Sequence, residues 1–182
     1  MTKKELYLTL KADDARFGNA KPNIKDYILR NEAWYIFNYI RYLRYVDYYQ
    51  GKGGVYKILY LYYYLRYKRL GFKLHFTIYP GTIGPGFRIY HVGGFTHVGK
   101  NVSIGKNCTM LPGVVFGNKT ESEDVRGVSV GDNCYIGLNA KIFGPVNIGN
   151  NVTIGANSVV TKDIPDNAIV AGCPAKIIKY CK

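Results

Sequence analysis

The sequence predicts a mainly β protein, in which an α-helical region over residues 1–75 precedes a coil of short strands over residues 76–182. Three observations predict it. Apolar residues recur every six positions, at Val98, Ile104, Met110 and Phe116 and again at Val130, Ile136, Ile142, Ile148, Ile154 and Val160. Gly and Asn punctuate the repeat, as in Val98-Gly-Lys-Asn101, Ile104-Gly-Lys-Asn107, Val130-Gly-Asp-Asn133 and Ile148-Gly-Asn-Asn151, and these residues accept positive φ at low cost. Composition switches at the same boundary: 14 of the 18 tyrosines precede residue 76 and 16 of the 21 glycines follow it.

In the first region, Ala33–Tyr49 and Val55–Leu70 flank Gly51-Lys-Gly-Gly54, whose glycines break what would otherwise be one helix. Val55, Ile58, Leu59 and Tyr62 stand at i, i+3, i+4 and i+7, the spacing of one helical face, so the pair reads as an α-helical hairpin. In the second region a mostly small residue follows each apolar one by four: Val102, Cys108 and Val114, then Cys134, Ala140, Val146, Val152, Ser158 and Ile164. One large and one small side chain point inward per repeat. A chain that bends every six residues buries them only by stacking its turns into a continuous core.

The 182 residues suit one domain with a small appendage, and 47% apolar against 20% charged residues is a globular composition. The opening MTKKELYLTL lacks the features of a signal peptide, so a cytoplasmic location is expected. Cys108, Cys134, Cys173 and Cys181 show no CxxC spacing and read as free thiols. The net charge of +13 calls for an anionic partner, and residues 1–75 carry most of it, with 15 Lys/Arg against 6 Asp/Glu. Tyrosines at helix-compatible spacing are accounted for by helix packing, which argues against nucleic acid. Trp34, the tyrosines and the cations together fit peripheral contact with the inner face of a membrane.

The repeat resembles the hexapeptide-repeat acyltransferases over roughly residues 76–179, which implies a left-handed parallel β-helix, acetyl-CoA as co-substrate and a homotrimer with grooves between subunits. Within that family the sequence is most similar to the serine O-acetyltransferase branch and its relatives from polysaccharide gene clusters. The period breaks between Phe116 and Val130 at the polar stretch Gly117–Gly127, where the resemblance implies a loop covering the acetyl-CoA groove. Gly117 and Asn118 are expected at the cofactor, with the backbone near Gly117 stabilising an oxyanion. The segment Ile83-Gly-Pro-Gly-Phe-Arg-Ile-Tyr-His-Val-Gly-Gly94 matches the stretch ending in the family's catalytic histidine, which makes His91 the general base. Asn167–Ile178 resembles the closing segment, so Gly172, Pro174 and Lys176, with Gly137 and Ala156, are expected along the coenzyme A groove.

Two departures bear on the acceptor. Thr77 stands where the branch has the aspartate that orients its histidine, and Gly127, beside Arg126, stands where it has a second histidine. His91 would then be oriented by a backbone carbonyl or by Thr77, with Thr77, Tyr90 and Arg126 as the acceptor-binding set. From this loss of charged partners a sugar hydroxyl, of a capsular polysaccharide or its precursor, is the expected acceptor, held by hydrogen bonds and by stacking on Tyr79, Tyr90 or Phe95. Serine is the alternative. A zinc-dependent anhydrase of the same fold is disfavoured because His75, His91 and His97 do not reproduce its ligand spacing, and no metal is expected. Covalent catalysis is disfavoured because Cys108 and Cys134 occupy inward-pointing positions.

Overall fold

The computed structural model describes residues 1–18, 21–118 and 127–181. Helix α1 (Lys3–Ala15) opens on a capping box, in which Thr2 Oγ1 accepts the Glu5 amide and the Glu5 carboxylate accepts the Thr2 amide. The short helix α2 (Ile24–Ile28) is capped in the same way by Asn23 and Asp26. Helices α3 (Glu32–Tyr49) and α4 (Tyr56–Leu74) form the expected hairpin, turning through Gly51 and Gly54 at positive φ. Among the described residues no helix is long and apolar enough to cross a membrane.

From residue 76 the chain winds round three faces. The first holds β1 (Phe76–Ile78), β3 (Thr96–Val98), β6 (Val115–Asn118), β9 (Lys141–Gly144) and β12 (Val159–Val160). The second holds β4 (Val102–Ile104), β7 (Val128–Val130) and β10 (Val146–Ile148). The third holds β2 (Arg88–Ile89), β5 (Thr109–Met110), β8 (Tyr135–Ile136), β11 (Thr153–Ile154), β13 (Ala168–Gly172) and β14 (Ala175–Tyr180). Pairing is parallel until β14 returns antiparallel on β13. Chain order visits the faces in rotation, and Ile136 pairs with Ile154 eighteen residues on, so three hexapeptides make one turn. The six-residue positions fill the interior as expected, with Val98, Met110, Ile136, Ile142 and Ile154 all fully buried. One corner is a ladder of left-handed asparagines, Asn107, Asn133, Asn151 and Asn167, whose side-chain amides hydrogen-bond each to the next at 3.4, 3.2 and 2.9 Å. Cys108 and Cys134 are buried in the small inward position, and the hydrogen bond between the two thiols, with burial second, pushes the Cys134 thiol up.

The helices share the interior of the coil. Tyr39, Leu43 and Tyr67 belong to the same buried cluster as Phe76, Ile78 and Val98. The Tyr67 hydroxyl donates to the Ile78 carbonyl at 2.5 Å, and the Tyr39 hydroxyl accepts the Ile78 amide at 3.1 Å. A buried ion pair ties α1 and α3 to the first turn of the coil. Arg44 and Asp13, with side chains 1% and 5% exposed, meet at 2.9 Å. Arg44 also donates to the carbonyls of Ile83 and Gly84 at 2.6 Å each, and Asp13 accepts the amides of Gly86 and Phe87 at 2.8 and 3.2 Å. With every partner supplied from inside, the pair is satisfied as a buried charge must be, and it fixes the segment that leads into β2.

Candidate active site

Between the third face and the first, the chain turns at residues 90–95, 111–114, 137–140 and 155–158, and the β13–β14 hairpin at 172–174 closes the third face at the same edge. These corners stack into one edge of the prism. Their closeness explains the glycines: a Cβ on Gly94 would lie 3.2 Å from Gly113 Cα, one on Gly137 2.6 Å from the Ala156 nitrogen, and one on Gly155 2.9 Å from Ala171 Cβ.

His91 occupies the first of these corners in the left-handed conformation, at φ 64°. Its side chain is 69% exposed, and its Nδ1 lies 2.6 Å from Oε1 of Glu32, which is 42% exposed. The other oxygen of Glu32 accepts the Val92 amide at 3.1 Å. Glu32 stands in the first turn of α3, where a carboxylate is favoured by the helix dipole. A carboxylate on Nδ1 selects the Nδ1–H tautomer and leaves Nε2 as the lone-pair base. This corrects the expectation that Thr77 or a backbone carbonyl orients the ring. Thr77 lies in β1, in register with His97 of β3, and lines a small cleft with Tyr67, Phe72 and Phe95.

Arg88 stacks on Tyr90 beside this corner, its guanidinium 4.1 Å from the ring centroid, and donates to the carbonyl of Arg16. Arg16 in turn donates to Thr109 Oγ1 at 2.6 Å. His97 is half-buried between Phe95 and Tyr79, and burial holds its pKa below the usual imidazole range. His75 closes α4 as a left-handed cap.

The expected cofactor residues divide between two edges. Gly137 and Ala156 lie on the His91 edge, Gly137 buried and Ala156 exposed. Gly172, at φ 105°, donates to Ser158 Oγ at 3.2 Å and opens the β13–β14 hairpin that carries Pro174 and Lys176 at the far end of the same edge. Five strand spacings separate β2 from β14, about 24 Å at ~4.8 Å each. Gly117 and Asn118 instead lie in β6, opposite Phe143 and Gly144, at the next edge round the prism. Asn118 Oδ1 accepts from Asn101 at 3.0 Å, beside a cleft of about 490 Å³ lined by Asn101, Gly127, Ser129, Asn147 and Asp163. Within one protomer Gly117 therefore does not meet His91. Arg126 lies outside the described residues.

A model of the hexapeptide repeat of succinyl-transferase matches residues 96–120 and 127–162. Among curated proteins, the serine acetyltransferase of Mycobacterium tuberculosis is 38% identical over 102 residues, covering 56% of this chain and 44% of its own. That of Staphylococcus aureus is 39% identical over 103 residues, covering 56% and 48%. Among solved structures, the Neisseria gonorrhoeae serine acetyltransferase superposes with a TM-score of 0.76 at 28% identity, over 98% of this chain and 66% of that one. The Brucella abortus enzyme in complex with coenzyme A gives 0.73 at 27% identity, over 98% and 68%. The chain spans under half the length of these curated relatives. By fold and repeat it is a left-handed parallel β-helix of hexapeptides, with helices at its N-terminus. Within that class, its similarity is to the serine acetyltransferases.

These relatives overturn the sugar acceptor and the assignment to polysaccharide synthesis expected from Thr77 and Gly127. That expectation assumed that charged groups lost at two positions are lost to the site. Glu32 shows otherwise, since a carboxylate from another element reaches the histidine.

Proposed function

We propose that the protein is an acetyl-CoA-dependent serine O-acetyltransferase with His91 as general base. The observation that carries this is the clamp of Glu32 on His91 Nδ1 and the Val92 amide, which leaves Nε2 free at an exposed corner. Nε2 takes the proton of the serine hydroxyl as its oxygen attacks the thioester carbonyl. Collapse of the tetrahedral intermediate breaks the C–S bond, and the imidazolium returns the proton to the departing thiolate. Such general-base assistance contributes ~10²–10⁴-fold. Glu32 is the positioning residue, since it touches the imidazole and not the substrate.

Coenzyme A would lie along the His91 edge, its thioester at the first corner, its arm over Gly137 and Ala156, and its anionic nucleotide at Gly172, Pro174 and Lys176, where a lysine supplies charge-assisted contacts. A homotrimer suits the division of the site over two edges. The Gly117–Asn118 edge of one subunit, with its cleft, would face the His91 edge of the next and supply oxyanion donors there. Arg88, held on Tyr90, is a cation suited to the serine carboxylate, with Arg126 as the second expected from the sequence. We assign the reaction to the cytoplasm.

The test is thiol release from acetyl-CoA with L-serine. His91→Ala should lower kcat by ~10²–10⁴-fold and leave coenzyme A affinity nearly unchanged. Wild-type turnover in that variant would remove His91 from the mechanism, and no serine-dependent release by the intact chain would remove serine.

A further inference from the structure

Helix α4 buries one side against the coil through Tyr67, Gly71 and Leu74. Its other side is apolar and bare. Ile58, Leu61, Tyr62, Leu65 and Phe72 follow at i, i+3, i+4, i+7 and i+14, an outward stripe broken only at i+11, and all are exposed, from Tyr62 at 49% to Phe72 at 89%. Cations border the stripe on both sides: Lys57 and Lys68, eleven residues apart, along one flank, and Arg66 and Lys73, seven apart, along the other, with Arg69 within it. All five are exposed, and α4 contains no acidic residue. The apolar surface continues onto α2 and its C-cap, where Ile24, Ile28 and Leu29 are more than two-thirds exposed. Between them lies a cleft of about 420 Å³ that combines Tyr27, Trp34 and Leu70 with Arg66 and Arg69.

We infer that this face docks on the surface of an anionic lipid bilayer. An apolar stripe flanked by long basic side chains is the arrangement of an interfacial helix: the stripe enters the acyl boundary while lysine and arginine stems lie along it and hold their charges at the headgroups. Charge complementarity selects this occupant. A second copy laid face to face would bring the five cations of each α4 together with no α4 carboxylate between them, whereas anionic headgroups neutralise them. The cleft offers aromatic walls and two guanidinium groups, a fit for a headgroup phosphate with its glycerol and first methylenes.

The test is co-sedimentation of the full chain with phosphatidylcholine vesicles, with and without phosphatidylserine, over a salt series. Binding should require phosphatidylserine and weaken as salt rises, since exposed charges are screened beyond about 8 Å at physiological ionic strength. Replacing Lys57 and Lys68 by Gln should weaken it roughly fivefold per cation, and Leu65→Ser with Phe72→Ser should weaken it by at least about tenfold. These side chains are exposed, and an unchanged thermal midpoint in each variant verifies that folding is intact. Equal binding to neutral vesicles, no binding at all, or binding indifferent to both pairs of substitutions would overturn the inference. So would sedimentation velocity showing that Leu65→Ser with Phe72→Ser splits an oligomer of a chain that ignores vesicles.

Discussion

Replacing Glu32 by glutamine should strike turnover without disturbing substrate binding, because the two side chains fit the same space and differ in what they ask of the imidazole. The side-chain carbonyl of the variant can still accept the Val92 amide. Its NH₂ group then faces Nδ1 and donates, which makes Nδ1 the acceptor and moves the ring proton to Nε2, the atom that takes the acceptor proton in the proposed mechanism. A hydrogen bond to a charged group contributes about 1.5–3 kcal/mol, or roughly 10–150-fold in rate. Since His91 and Glu32 are 69% and 42% exposed, screening favours the lower end, and we expect kcat to fall about 10- to 30-fold. The assay is thiol release at saturating acetyl-CoA over a serine series, comparing Glu32→Gln, Glu32→Asp, His91→Ala and the variant that combines Glu32→Gln with His91→Ala. Loss should appear in kcat with KM for serine little changed. The aspartate should recover part of the rate, and the double variant should be no slower than His91→Ala alone. A glutamine variant within about twofold of wild type while His91→Ala is inactive would refute the role of Glu32 and leave the base in place.

Other expectations concern the frame around the site. Arg44→Met leaves Asp13 charged, buried and without its partner, which should cost about 3–5 kcal/mol and lower the thermal midpoint by roughly 6–20 °C; an unchanged midpoint would contradict the reading of the pair. Asp47, whose carboxylate accepts the Gly81 amide at 2.7 Å, has its pKa pushed up to about 6 by burial. The native state thus holds that proton more tightly than the unfolded chain, so Asp47 makes stability decline as pH rises from about 4 to about 6 and stay lower above. Asp47→Asn should remove that decline and raise stability at neutral pH by about 1–3 kcal/mol, read from denaturant midpoints across the window; a variant with the wild-type pH dependence would rule it out. Gly137→Ala would set a methyl group 2.6–2.8 Å from backbone atoms of residues 154–156, which cannot yield as a side chain can. A loss of about 1–3 kcal/mol is expected, and full stability would mean that the turns are not packed this tightly.

The β-helix was legible because its signal is repeated. Each of Val98, Ile104, Met110 and Phe116 is weak evidence, but their common interval admits one architecture, and the asparagines at Asn107, Asn133 and Asn151 mark the corners that the interval requires. The hairpin was legible from the break at Gly51–Gly54. Helix α1 was not read, although Thr2 and Glu5 spell a capping box. His91 was singled out through a local motif, whereas Glu32 lies 59 residues away in another element, a distance over which no spacing rule operates. Only the docking of α3 against the first turn brings the two together, and that docking depends on the buried Asp13–Arg44 pair, whose members are also far apart in sequence. The sugar acceptor was inferred from what two positions lack, and an absence at one site says nothing of what a neighbouring element brings.

The two hydroxyls on Ile78 have a consequence for how the coil begins. A strand at the end of a sheet offers free backbone donors and acceptors to any chain that passes, and a stacked array of identical turns invites end-to-end growth. Tyr39 and Tyr67 take up the donor and the acceptor that a preceding turn would otherwise engage, so the hairpin serves β1 as a substitute strand. At the opposite terminus β14 runs against the direction of its neighbour β13 and carries Lys176 and Lys179, which gives an added parallel turn no matching register and a charged margin to meet. The start of the first face and the end of the third are thus both closed to a further parallel turn. A chain cut just before β1 would lose its starting stop and present an open edge, from which filaments, rather than a shorter enzyme, are the expected product.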